Sequence, residues 1–188
     1  ASLWLHMGFF GPKLVKVASE ANADDGAAPY TLTDNPDCLL DIADLVFIDP
    51  IGTGYSQAVG EGKNEDFWGL EADANSIADF MRLWVTRHKR WNAPKYIAGE
   101  SFGTTRAAAL VQALERGGQN MAVNGLILIS QALDYTGSTP IDDNIVAYIT
   151  YLPTMAATAW YHKQAGQGKD LEEFIKEARN FAYKDYAP

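Results

Sequence analysis

The stretch Lys95-Tyr-Ile-Ala-Gly-Glu-Ser-Phe-Gly103 decides the fold. Its first four residues form a short apolar run that predicts a strand, and the alanine-rich residues 101–116 predict a helix that Gly117-Gly118 ends. Between strand and helix lies the pattern G-x-S-x-G, from Gly99 to Gly103. Five residues alone are weakly specific. However, a strand directly before them and a helix directly after them are the context that a nucleophile elbow requires.

Ser101, at the centre of this pattern, is the predicted nucleophile. The turn of a nucleophile elbow is so tight that the residues flanking the serine must be small, and Gly99 and Gly103 meet that demand. The serine hydroxyl is presented above the sheet at the positive end of the helix. The backbone N–H of Phe102 is then expected to donate one of the two hydrogen bonds to an oxyanion. The alternative interpretation, which the sequence leaves open, is a glycine-rich strand-to-helix turn with no catalytic role.

Two further apolar runs predict a parallel sheet around the elbow. Residues 44–48, which are continuously apolar after Asp44, predict a strand buried on both faces, and residues 123–130 predict a third strand. From 65 to 88 the apolar residues recur every three or four positions, as in an amphipathic helix. The order strand, helix, strand, helix, strand implies an α/β sheet with crossover helices.

The pattern changes after about residue 140. Three helical segments follow with no strand between them, over 141–151, 153–164 and 170–182. We therefore expect two domains, a partial α/β core over 1–139 that includes the elbow and the beginning of a helical region over 140–188.

Composition argues against several classes of function. The chain of 188 residues carries a net charge of −9, so a nucleic-acid partner is not expected. Its apolar runs are too short to cross a membrane. The single cysteine, Cys38, allows neither an internal disulfide nor a cysteine metal cluster, and is expected to be a small packing residue. Residues 18–37, rich in Ala, Asn, Asp, Gly and Pro, predict a surface loop.

A serine nucleophile needs a general base, and the histidines of this chain do not fit that role. In this fold class the partners follow the serine in the order Asp or Glu, then His. His6 and His88 precede Ser101, and His162 lies in a helical segment after only one further strand. We therefore expect the base and the acid to lie beyond residue 188, in a chain that looks cut at both ends.

Two nucleotide-binding patterns are incomplete. Gly52-Thr-Gly54 follows a predicted strand, but Gln57 stands where the dinucleotide fingerprint has its third glycine. Gly62-Lys63 is followed by Asn64 instead of the Ser or Thr of a phosphate-binding loop. Nucleotide binding is therefore not predicted.

Three motifs, in the right order and with similar gaps, resemble those of the serine carboxypeptidases. Residues 99–103 (GESFG) resemble the family's G-E-S-Y-A-G, and residues 45–56 (LVFIDPIGTGYS) resemble its strand and loop ending in D-Q-P-x-G-x-G-F-S. Residues 8–12 (GFFGP) resemble its E-x-G-P-F region, which would make Ala1-Ser2-Leu3 the tail of an N-G-G-P-G-S-S loop. The resemblance covers about residues 1–130.

The resemblance implies an α/β-hydrolase fold with a helical lid inserted after the strand that follows the nucleophile helix. Residues 140–188 would then begin the lid. It also implies a serine-type carboxypeptidase that acts on the C-termini of peptides or proteins without a metal or organic cofactor, in a secreted or periplasmic location. Since the triad Asp and His would be missing, the 188-residue chain itself is expected to be inactive.

Residue roles carry over from the family by position. Ser101 matches the acylating nucleophile, and Phe102 matches the residue whose N–H completes the oxyanion hole and whose ring borders the pocket for the residue before the scissile bond. Glu100 matches the glutamate that recognises the terminal carboxylate. Two ionised carboxylates repel, so such a pair must share a proton, and binding should weaken as pH rises. The loop expected to line the substrate cleft consists of Gly52, Thr53, Gly54 and Tyr55.

The chain departs from the family pattern at several positions. The glutamine before Pro50 is missing, Gly103 replaces an alanine, and Thr104-Thr105-Arg106 replaces an aromatic and proline pattern. These changes suggest a divergent, bacterial branch. They leave open an esterase or acyltransferase of the same fold, and a non-catalytic binding module on a hydrolase scaffold. The sequence does not predict the oligomeric state.

Overall fold

A computed structural model describes residues 2–17, 28–116, 118–137, 139, 141 and 143–186. The chain forms two compact units, residues 1–131 and residues 132–188. The assignment of these regions to a hydrolase core and a lid stays a prediction. Within the described residues, the helices are too short or too polar to cross a membrane.

The first unit opens with a small antiparallel hairpin. A short helix, α1 (Ser2–Leu5), runs into a π-helical turn, and β1 (Lys13–Val15) then pairs with β2 (Leu32–Asp34). The pairing places Lys13 opposite Asp34, and their side chains form an ion pair. The strand β2 corrects the prediction of a loop over 18–37, because the alternating Thr31-Leu-Thr33 can pair although its neighbours are turn formers. Of that predicted loop, residues 18–27 lie outside the described residues.

Asn35 fixes the turn over residues 8–12. Its buried side-chain amide donates to the carbonyl oxygens of Phe9, at 3.0 Å, and Gly11, at 2.8 Å. The N–H of Gly11 donates to the carbonyl of His6, at 2.9 Å, and a Cβ on Gly11 would lie 2.1 Å from that oxygen. The buried amide therefore holds a turn that only glycine can make at position 11.

The predicted strand over residues 44–48 is not a strand in this structure. The segment runs without regular secondary structure, and Val46 is exposed while its apolar neighbours are half-buried. A strand is defined by its ladder partners, and among the described residues no ladder joins this segment to the sheet. Instead it faces β3 across an apolar groove of about 960 Å³.

The centre of the first unit is a parallel strand–helix–strand unit, as predicted. It consists of β3 (Tyr96–Glu100), α3 (Phe102–Arg116) and β4 (Gly125–Ile129), with Tyr96 opposite Gly125 and Glu100 opposite Ile129. Helix α2 (Leu70–Arg87) precedes it. The prediction placed the start of α2 at residue 65, but Gly69 is extended (φ −72°, ψ 142°) and separates α2 from a 3-10 turn over Asn64–Phe67.

Helices α2 and α3 enclose the core. Its buried side chains come from one face of each helix and from the connection to β4, and partly buried residues such as Ile97 pack against them. Burial of each of its larger apolar side chains contributes about 1.5–3 kcal/mol. The core members are Ile77, Ala78, Val85, Leu110, Leu114 and Met121. This core fixes α3 against α2, and the predicted nucleophile, Ser101, directly precedes α3.

The second unit is helical, with α4 (Ile145–Tyr161) and α5 (Leu171–Phe181) followed by a π-helical turn, Ala182–Tyr186. The predicted break at residue 152 is wrong, because Pro153 lies inside α4 and the helix continues through it. Proline usually ends or kinks a helix by removing one hydrogen bond, yet a single loss does not always end a long apolar helix. Asp170 caps α5 by accepting from the N–H groups of Glu172 and Glu173.

Candidate active site

Ser101 occupies the single residue between β3 and α3. Its backbone is left-handed, with φ at +54°, although it is not glycine. A left-handed residue with a Cβ costs about 1–2 kcal/mol and persists only where its surroundings enforce it. Here the N–H of Ser101 donates to the carbonyl of Ile129 at the end of β4, at 3.0 Å. The side chain of Ser101 is exposed. This is the strained strand-to-helix turn expected of a nucleophile elbow.

The two glycines of the motif differ in what the turn demands of them. A Cβ on Gly99 would lie 2.1 Å from the carbonyl oxygen of Gly103 and 2.9 Å from the amide nitrogen of Thr104. A Cβ on Gly103 would meet no atom within 4 Å. The close approach of strand and helix backbones therefore requires glycine at position 99. At position 103 the same demand is not found.

The first turn of α3 presents N–H groups beside Ser101. The N–H and the hydroxyl of Thr104 both donate to the carbonyl of Ser101, at 2.9 and 2.8 Å. Phe102 is the first residue of the helix. The first N–H groups of a helix have no acceptor within it, and the helix dipole favours negative charge at this end. The arrangement is suited to stabilising an anion formed next to the Ser101 hydroxyl.

Glu100 is the last residue of β3 and is half-buried. The residue lines the groove between β3 and the segment 44–48, together with Gly99, Gly103 and Arg106. The described residues that line the groove do not include Ser101 or Phe102. Glu100 therefore borders this groove and is followed directly by the exposed Ser101.

The loop after residue 48 is held by its own hydrogen bonds. The N–H and hydroxyl of Thr53 donate to the carbonyl of Pro50, at 2.9 and 2.7 Å, and the N–H of Gly52 donates to the carbonyl of Ser56, at 2.9 Å. Gly52 and Gly54 are both left-handed, with φ of +84° and +52°. Tyr55 is fully exposed. The predicted cleft residues thus form one hydrogen-bonded turn with an exposed tyrosine ring.

Asp49 organises this turn. Its carboxylate accepts hydrogen bonds from the hydroxyl of Ser2 and from the N–H of Tyr55. The hydrogen bond from Ser2 is the main cause that lowers the pKa of Asp49 below its ordinary value, with the Tyr55 N–H adding to it against the opposing effect of burial. A Cβ on Gly54 would lie 2.1 Å from the same carboxylate. The ionised side chain of Asp49 therefore joins the start of the chain to this loop.

No histidine hydrogen-bonds to Ser101 among the residues that the structure describes. The ring of His6 stacks on Phe47, with centroids 4.3 Å apart, and that of His88 stacks on Trp84, at 4.4 Å. His162 follows α4 in the second unit. That the base is none of these three histidines stays a prediction.

Sequence reasoning missed an ion pair beside the elbow. The Nε of Arg106 lies 2.5 Å from a carboxylate oxygen of Asp73, which is buried on α2. The guanidinium carbon of Arg106 also lies 5.2 Å from the centre of the Phe102 ring. A usable signal exists in the sequence, since Asp73 is a charged residue on the apolar face of a predicted helix and needs a partner there.

The profile of the family described as serine carboxypeptidase matches residues 20–184. The chain belongs to the serine carboxypeptidase family. The match includes the elbow, the Asp49 loop and the helices α2 to α5.

Three relatives from Arabidopsis thaliana illustrate the distance within the serine carboxypeptidase family. Serine carboxypeptidase-like 5 is 24% identical over 143 residues, which are 75% of this chain and 30% of that protein. Serine carboxypeptidase-like 2 is 29% identical over 107 residues, covering 53% and 23%. Serine carboxypeptidase-like 1 is 29% identical over 99 residues, covering 49% and 22%. The matches thus span less than a third of each of these relatives.

Membership of the serine carboxypeptidase family implies the α/β-hydrolase fold, and the parallel pair β3–β4 with its crossover helix is consistent with it. The relatives are plant proteins, so they give no support to the expectation of a bacterial branch. In the described part of the chain, His, Cys, Asp and Glu side chains form no group of three that could hold a metal ion.

Proposed function

We propose that the protein is a serine-type carboxypeptidase in which Ser101 forms the acyl-enzyme. The observation that carries the proposal is the geometry of the elbow. Ser101 is held at φ +54° between β3 and α3. The crossing of the two backbones at Gly99 leaves no room for a side chain. A strained, exposed serine at a helix N-terminus is costly for a protein that makes no use of it.

The reaction proceeds in two steps. The Ser101 hydroxyl loses its proton to a general base as its oxygen attacks the carbonyl of the last peptide bond. The resulting oxyanion accepts from the N–H of Phe102 and from a second donor, and its collapse breaks the C–N bond while the base returns the proton to the departing amino acid. Water then hydrolyses the ester. The base, its acid and the second donor are proposed to lie outside residues 1–188, and no metal or organic cofactor takes part.

Glu100 is proposed to recognise the free carboxylate of the substrate by sharing one proton with it. The position of Glu100, directly before Ser101 at the end of β3, supports this role. Since the shared proton is lost as pH rises, substrate binding is expected to be strongest in acid. Gly52 to Tyr55 are proposed to line the cleft, and the helical region from residue 140 is proposed to begin a lid.

The test uses the full-length protein and compares an N-blocked dipeptide acid with its C-terminal amide between pH 4 and 8. A carboxypeptidase with Glu100 as carboxylate reader prefers the acid, and this preference fades as pH rises. Equal rates on acid and amide, or turnover of esters alone, would move the assignment to an esterase or acyltransferase. No turnover and no labelling of Ser101 by a fluorophosphonate would favour a non-catalytic scaffold.

Two variants separate the roles in this experiment. Ser101→Ala removes the nucleophile and should abolish both labelling and turnover. Glu100→Gln should remove the pH dependence of the preference for the acid. Glu115→Gln, which changes an exposed glutamate near the end of α3, is the matched control. An unchanged pH profile in Glu100→Gln would contradict the proton-sharing role while leaving the nucleophile assignment intact.

The proposed location is secreted or periplasmic, and the proposed substrates are the C-termini of peptides and proteins. Both proposals rest on the family alone.

A further inference from the structure

The first two turns of α3 carry an aromatic ring and a cation on the same face. Phe102 and Arg106 are four residues apart, the spacing at which helical side chains meet. The guanidinium carbon lies 5.2 Å from the ring centre, within the range of a cation–π interaction. The guanidinium therefore lies over the Phe102 ring, while its Nε–H contacts another residue.

Asp73 anchors that guanidinium. The Nε of Arg106 lies 2.5 Å from the Asp73 carboxylate, and 8% of the Asp73 side chain is exposed against 25% for Arg106. Asp73 stands on α2 next to the buried Ala74 and one turn before the core residue Ile77. Because the Asp73 carboxylate is held on a packed helix, its ion pair restrains the position of the Arg106 guanidinium over the Phe102 ring.

The Phe102 ring is not enclosed by the core. The residue is 44% exposed and stands outside the core cluster. An aromatic side chain at the start of a helix can change its rotamer when packing does not restrain it. The cation on Arg106 supplies the restraint from one turn away.

We propose that Arg106 is a positioning residue that holds the Phe102 ring and so sets which side chain the enzyme accepts before the scissile bond. This deepens the proposed function, on which it rests. In this role Arg106 acts on the substrate side chain through Phe102. Asp73 is the anchor, and the substrate side chains that benefit are large and apolar, since they would lie against the ring.

A merely structural role predicts something different. The ion pair would then join α2 to α3, and its loss would lower stability without changing the choice of substrate. However, α2 and α3 are already joined by the core residues Ile77, Val85, Leu110 and Leu114. Replacing a buried ion pair by apolar groups is often neutral for stability, whereas removing one partner is not. Substrate choice and stability can therefore be separated by experiment.

The experiment measures a selectivity ratio in the full-length enzyme. The ratio is kcat/KM for a dipeptide acid with phenylalanine before the scissile bond, divided by kcat/KM for the same substrate with alanine there. It cancels any loss of folded enzyme. The variants are Phe102→Leu, Arg106→Lys, and the double variant Arg106→Met with Asp73→Asn, which leaves no charge buried alone. Arg116→Met, at the exposed end of α3, is the control.

We expect the double variant to lose about three- to tenfold in the ratio, the size of a partly exposed cation–π interaction. Phe102→Leu should lose at least as much, and adding the double change to Phe102→Leu should then have no further effect. Arg106→Lys keeps the ion pair but loses the planar face, so its ratio should be intermediate.

The outcomes distinguish the two levels of the proposal. A wild-type protein that neither turns over peptides nor labels at Ser101 overturns the proposed function and this inference with it. If the wild type is active but the ratio is unchanged in the Arg106 variants, only the positioning role is overturned. The same holds if the double change lowers the ratio equally in the wild type and in Phe102→Leu. Should the double variant fail to fold, Arg106→Lys decides in the same way.

Discussion

Adding one methyl group at Gly99 should damage the fold, whereas adding it at Gly103 should not. The Cβ of an alanine at position 99 would lie 2.1 Å from the carbonyl oxygen of Gly103, roughly 1 Å closer than Cβ atoms are found to other atoms. The obstacle is backbone on both sides, since β3 and α3 cross here. A side chain cannot move aside to relieve it.

The magnitude follows from the nature of the clash. Overpacking a well-packed site costs typically about 1–3 kcal/mol, and the upper end applies where backbone must shift. We therefore expect Gly99→Ala to lower the free energy of unfolding by about 3 kcal/mol. Gly103→Ala fills open space in the first turn of α3 and should raise it by about 0.4–1 kcal/mol, because alanine has less freedom than glycine in the unfolded chain.

Urea unfolding of the full-length variants, followed by circular dichroism, measures both values. The two substitutions add the same atom four residues apart, so composition and hydrophobicity cannot explain a difference between them. Gly99→Ala should also lose fluorophosphonate labelling of Ser101, since relief of the clash must alter the left-handed turn. A Gly99→Ala protein that unfolds within about 0.5 kcal/mol of the wild type would show that the backbones do not cross as closely as described.

Three other perturbations test the loop and the chain as a whole. Gly54→Ala combines left-handed strain with a Cβ 2.1 Å from the Asp49 carboxylate. It should lower the free energy of unfolding by about 1–3 kcal/mol more than Gly60→Ala, the control, because Gly60 is left-handed at +69° in open space. Equal losses of unfolding free energy in urea would refute the contact. Since the folded pKa of Asp49 is lowered, its ionised form stabilises the fold above pH 3.8 and this contribution is lost as pH falls through the folded value. Asp49→Asn should therefore flatten the fall in unfolding free energy between pH 5 and 2, and an unchanged slope would contradict the assignment. Residues 1–188 alone should show no more fluorophosphonate labelling than their Ser101→Ala variant, while the full-length protein labels; labelling of the short chain would show that its own histidines suffice.

The elbow could be predicted from the sequence because its determinants are local. A strand, a tight turn and a helix lie within residues 95–116, and each is encoded by its own residues. The bounds of β3 and α3 differ from the prediction by one or two residues. The requirement for glycine at position 99 also follows from the motif. That position 103 has room for a side chain could not be predicted from the sequence, because it depends on the direction in which a Cβ there would point.

Elements whose structure depends on a partner were predicted less well. Residues 44–48 have the composition of a buried strand, but a strand exists only with a neighbour to pair with, and the described neighbours are across a groove. The short strand β2 was missed for the converse reason, because β1 supplies a partner that composition does not reveal. Pro153 inside α4 shows the same limit, since the surrounding helix overrides a local signal.

The ion pair beside the elbow could be anticipated only in part. Asp73, on the apolar face of α2, indicates that a basic side chain must lie nearby. Which basic residue this is depends on the packing of α2 against α3. Arg106 becomes its partner because Ile77 and Leu110 bring these two faces together. Pairing between residues 33 positions apart is a property of the fold and not of either helix.

These observations separate the nucleophile from the features proposed to select the substrate. The turn at Ser101 depends on Gly99 and on the N–H that Ser101 gives to Ile129, so it is set by the crossing of β3, α3 and β4. Several departures from the family pattern, at residues 103–106, come directly after the serine. One of them, Arg106, stands over the Phe102 ring and leaves the strand-to-helix crossing untouched. Changes at these positions can therefore alter which substrates are accepted while the strained serine, on which the proposed chemistry depends, is kept.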